Sequence, residues 1–164
     1  MEALSRSALQ YMHACFVNFR ISEGHMPLQL ASSGLNDAEF LAAFHSYSLS
    51  PSCFRHADHL RLAWLHVHQH PLEIAIENIR CGIQAYAKQL GKPDIYHETL
   101  TIAWVRLIAS HDEPTFDDFL SQNEYRLKGE LLYRFWSPER LQSESARKAW
   151  LPPDLAPLPA PLSR

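Results

Sequence analysis

Two histidines three residues apart, His56 and His59, stand inside the run FRHADHLRLAW (54–64), and a third, His97, stands in YHETLT (96–101). On a helix, residues three apart share a face, so the first two imidazoles converge on one point. Three neutral nitrogen ligands with an open position suit a divalent transition metal such as Zn, Fe or Ni. An acid near the bound water then acts as general base, and Glu98 directly follows His97. On this basis His56, His59 and His97 are the candidate metal ligands, with Glu98 as base or fourth ligand. Thr101 orients His97 or a bound ligand through its hydroxyl. Tyr96 and Trp104 line a pocket, and Arg134 is a candidate for holding an anionic ligand, although Arg134 and Arg147 could equally pair with Asp154 in the tail. The alternative is a metal-free polar pocket, or structural histidines bonded to carbonyl or carboxylate oxygens.

The chain carries ten histidines in 164 residues, an excess that sharpens the choice between these readings without deciding it. The run HVHQH (66–70) is less persuasive, because alternating residues do not share a helix face. Only His66 and His70 are neighbours on a helix, and they read as a solvated helix end. His45, in a short helix of its own, is a further candidate to reach the central cluster. No nucleophile elbow, P-loop, dinucleotide fingerprint or HExxH is present.

Helices must position these groups. Residues 1–20 carry apolar side chains at helical spacing, and the stretch to 35 is rich in loop signals. Asn36 or Asp37 caps a short helix through AEFLAAFHSYS. Ser50 with Pro51 predicts a helix from Pro51 to His70. Pro71 opens the next, in which Leu72, Ile76, Ile79, Ile83 and Tyr86 recur at three- and four-residue spacing, and Gly91 closes it. Asp94 caps a helix reaching Ser110, and Thr115 caps another. The run EYRLKGELLYRFW is amphipathic, Ser137 with Pro138 starts a further turn, and Ser143 or Ser145 starts the last. Five of the eleven prolines crowd into the Pro-rich C-terminal end, so residues 151–164 read as an extended tail draped over the helices through Leu151, Leu155 and Leu158.

The fold class expected is all-α: one domain over 1–164, a compact helical bundle of five to seven helices with an extended tail, its segment 1–35 the least defined. At 46% hydrophobic and 20% charged the chain can bury a core unaided. A net charge of −3 with no basic run speaks against a nucleic-acid partner. No apolar stretch is long enough to span a membrane. Cys15, Cys53 and Cys81 form no CxxC pair and are odd in number, which fits free thiols in the cytoplasm. The expected partner is a small-molecule ligand, and a homo-oligomer stays open.

FRHADHLRLAW, YHETLT and the late SARKAWLPPDLAPLP together resemble an uncharacterised family of small bacterial helical proteins, over roughly residues 40–160. The resemblance implies a bacterial source and a helical fold, and no activity. Gathering histidines from several helices on a metal is also similar in architecture to the four-helix metal proteins related to DNA-damage-inducible proteins, though the spacing carries no residue across. The function expected is a metal-dependent enzyme of hydrolase or lyase type acting on a small molecule. The alternative is a non-enzymatic binding or interaction domain whose histidines are structural.

Overall fold

A computed structural model describes residues 34–52, 54–123 and 128–162. The expected helix over 1–20, Cys15 and Cys53 lie outside them. Among the described residues there are seven α-helices and two 3₁₀ segments. They are α1 (Asp37–His45), α2 (His56–Gln69), α3 (Leu72–Gln89), α4 (Glu98–Ile108), α5 (Phe116–Asn123), α6 (Pro138–Leu141) and α7 (Glu144–Lys148), with 3₁₀ turns at Pro93–Ile95 and Gly129–Arg134. This is the all-α bundle that the helical periodicities predict. None of the described helices is long and apolar enough to cross a membrane.

Helices α2, α3 and α4 pack against one another and hold the core, with α1 resting on α3 and α7 on α4. The α3 stripe behaves as its spacing predicts: Ile76, Ile79, Tyr86 and Ala87 are buried. Gly82 lies on the same helix where α1 crosses it. A Cβ there would stand 2.7 Å from Cε1 of Phe44, so the missing side chain lets the aromatic ring lie against the α3 backbone. Gly91 follows α3 at φ +69, the left-handed conformation that closes helices at little cost to glycine.

Several caps are those expected. Asn36 Oδ1 accepts from the Glu39 N–H while Glu39 accepts from the Asn36 N–H, a reciprocal capping box. Thr115 accepts from the Asp118 N–H, and Ser137 and Ser143 cap α6 and α7. Two starts differ. Ser50 and Pro51 do not open α2; a turn closed by the Phe54 N–H on the Ser50 carbonyl intervenes. This turn lets Phe54 bury its ring beside Phe44 and Tyr86. The helix then begins at His56, where Asp58 accepts from the Arg55 N–H at 2.8 Å. Likewise Asp94 sits in a 3₁₀ turn, and α4 is capped by His97. The expected helix over EYRLKGELLYRFW is a 3₁₀ segment in its described part, Gly129–Arg134.

The tail is held by polar contacts and by Leu158, which packs half-buried against the core as expected. Thr99, fully buried in α4, donates to the Ala149 carbonyl at 2.8 Å and accepts from the Leu151 N–H at 3.0 Å. Trp136 Nε1 donates to the Leu151 carbonyl, and Asp154 accepts from both the N–H and the hydroxyl of Ser137. Asp154 therefore caps a helix start, where Arg134 or Arg147 was the expected partner. Leu155 stays 59% exposed, against the expectation that it buries. Thr99→Val keeps the shape and leaves a tail N–H and carbonyl unpaired, so it should cost about 2 kcal/mol in urea unfolding. A value below about 0.5 kcal/mol would mean that the hydroxyl does not anchor the tail.

Candidate functional site

A cavity of about 430 Å³ opens between α2, α3 and α4, closed at one end by the turn before α2. Six of the eight predicted site residues line it: His56, His59, Tyr96, His97, Thr101 and Trp104. The long walls are apolar, among them Leu60, Ile79, Ile83 and Leu100. The i, i+3 spacing of His56 and His59 puts both on the cavity face of α2, as the helix period requires.

The imidazoles have separate roles. His59 donates from Nδ1 to the Arg55 carbonyl at 2.8 Å, so the neutral ring carries its lone pair on Nε2. Burial pushes its pKa down to about 4, against the pull of that carbonyl. Its ring packs against Phe54 at a tilt of 41°, with centroids 4.1 Å apart. His56 meets the Trp104 indole edge-on at 5.0 Å. His97 is used by the fold. Nδ1 accepts from the Leu100 N–H at 3.3 Å and Nε2 donates to the Leu141 carbonyl at 3.0 Å. The first bond caps α4 and the second ties it to α6. Burial lowers the His97 pKa to about 4, and the Arg147 cation adds to the shift. With both ring nitrogens engaged, His97 would have to give up a structural bond to bind a metal. Among the described residues no group of three His, Cys, Asp or Glu is arranged to hold a metal ion.

Glu98 turns away from the cavity. Its Oε1 lies 2.7 Å from Arg80 Nη2 and its Oε2 accepts from the Tyr96 hydroxyl at 2.6 Å. Burial and then this carboxylate push the Tyr96 pKa up. The reason is angular: Glu98 lies about 100° around the helix from His97, on the side facing α3. Arg134 is likewise not in the cavity. It is exposed at a separate hollow beside His111 and Asn123.

Trp104 is 4% exposed, and its indole N–H is buried without an acceptor among the described residues. Such a group inside a native core calls for an explanation, and a bound molecule is one. Arg55 also lines the cavity and escaped the helical-wheel reading, since an N-cap residue lies outside helical periodicity. Its position directly before His56 was the available signal.

The HVHQH run is not a solvated end throughout. His66 is 5% exposed, with both ring nitrogens lacking a hydrogen-bond partner, and its neighbours are His45 and His70 with centroids 6.2 and 5.8 Å away. Burial, then the nearness of His45 and His70, lowers its pKa to about 4. His45 therefore meets His66, and it is not part of the cavity lining. The chain matches no protein-family model, no curated protein and no solved structure.

Proposed function

We propose that the chain is a small-molecule-binding protein whose ligand occupies the cavity between α2, α3 and α4. The observation that carries this is the Trp104 N–H, a buried donor without an acceptor, on a residue that lines a cavity of ligand size. Pockets of roughly 300–1,000 Å³ with apolar walls and a few polar groups are the usual form of such sites. A hydrolase or lyase centred on a metal would need a third ligand, and His97 is committed to α4 and α6. A cytoplasmic location accompanies this reading, since Cys81 is an exposed free thiol. A bacterial source follows from the resemblance carried by FRHADHLRLAW and YHETLT.

Native mass spectrometry of the purified protein and thermal shift with a panel of apolar metabolites test the proposal. Binding at 100 Kd should add about 2.7 kcal/mol of stability and raise Tm by several degrees. Ile83→Trp, which places bulk at a half-buried position of the lining, should abolish the shift while leaving the fold intact. Shifts that survive Ile83→Trp would place the ligand elsewhere.

A further inference from the structure

We infer that the cavity selects an apolar carboxylic acid, with Arg55 receiving the carboxylate; this rests on the binding function proposed above. The charge of the lining is one-sided. Among its described residues there is no Asp or Glu, and Arg55 is its only side chain that is charged at every physiological pH. The nearby carboxylates are turned elsewhere. Asp58 accepts from the Arg55 backbone N–H, and Glu98 pairs with Arg80 and Tyr96.

Arg55 enters no ion pair among the described residues. Among the described residues its side chain makes one hydrogen bond, from Nε to the Ser52 carbonyl at 3.5 Å, and the residue is exposed at the cavity rim, which leaves the guanidinium edge for a bidentate partner. It stands at the N-cap of the 14-residue α2, so the positive end of that helix favours an anion at the same place. An amine would meet the Arg55 cation there, and the one acid at this helix start, Asp58, is already engaged by the Arg55 N–H. The Trp104 indole N–H, on another residue of the lining, is a buried donor without an acceptor among the described residues. A cation and a buried indole donor among the polar positions, no carboxylate among the described lining residues, and apolar walls describe the complement of an acid with a hydrocarbon body.

Three probes of equal length separate the head groups: octanoate, octanol and octylamine, each titrated by calorimetry at pH 7.5. Octanoate should bind at least about tenfold more tightly than the other two, as a charge-assisted pair allows. Arg55→Gln should bring octanoate to the affinity of octanol, and Arg55→Lys should keep part of the preference. The cap of α2 uses the Arg55 main chain, so both variants should fold, which far-UV circular dichroism checks. Octanol or octylamine binding as tightly as octanoate would overturn the carboxylate assignment and leave the cavity as a binding site. So would an octanoate advantage that survives Arg55→Gln. Failure of all three to bind would overturn the binding function itself along with the carboxylate.

Discussion

Acidification from pH 6.5 to 4 should remove about 8 kcal/mol of folding stability, a little under 3 kcal/mol from each of His59, His66 and His97. His66 and His97 are 5% and 6% exposed, His59 is partly buried in the cavity wall, and all three have their pKa lowered from 6.5 to about 4. The folded chain thus holds these rings neutral where the unfolded chain protonates them. Below pH 6.5 the unfolded state binds more protons, so stability falls with pH until the folded rings titrate near 4 and the loss levels off. Above about pH 7.5, where the unfolded rings are neutral too, the contribution is complete and these groups add no further slope. His66 and His97 resist protonation for different reasons. His66 sits with no hydrogen-bond partner and faces His45 and His70, while His97 already uses both nitrogens and feels Arg147.

For a domain whose total stability is of the order of 5–15 kcal/mol, a loss of that size brings unfolding within reach near pH 4–5. Urea unfolding across pH 4–8 measures it. His66→Gln should flatten the profile by about a third, because it removes one of three similar titrations. A profile with no slope between pH 6.5 and 4 would show that none of the three rings resists protonation in the fold.

Glu98→Ala should cost about 3 kcal/mol, the low end of what breaking a buried ion pair costs, because Arg80 is partly exposed. The carboxylate joins three elements: Arg80 from α3, Tyr96 from the approach to α4, and α4 itself. Removing it strands a guanidinium that Glu77 alone then faces, at 2.6 Å on the exposed side. Arg80→Ala in the same background should cost much less than in the native chain, since the two residues are coupled. The urea midpoints of the two single variants and the double variant give this coupling. A Glu98→Ala cost below about 1 kcal/mol would mean that the carboxylate is not structural, and would return it to the candidates for chemistry.

Local rules in the sequence determined the helices and much of the cavity lining. Apolar residues at three- and four-residue spacing predicted α3 and its buried face. Asn36, Thr115, Ser137 and Ser143 marked helix starts because their oxygens satisfy backbone N–H groups within the same few residues. The i, i+3 relation of His56 and His59 was equally local, and both line the cavity. What the tertiary structure decided was the partner of each polar group. His97 looked like a ligand because its type and neighbours allow it; only the approach of α6 brings the Leu141 carbonyl to its Nε2. Glu98 looked like a base until α3 brought Arg80 to it. His66 looked solvated until α1 brought His45 across it. Helical periodicity is set by bonds spanning four residues, whereas these partners lie 44, 18 and 21 residues away. Type and spacing tell what a side chain is able to do, and long-range packing settles which of its atoms are already in use.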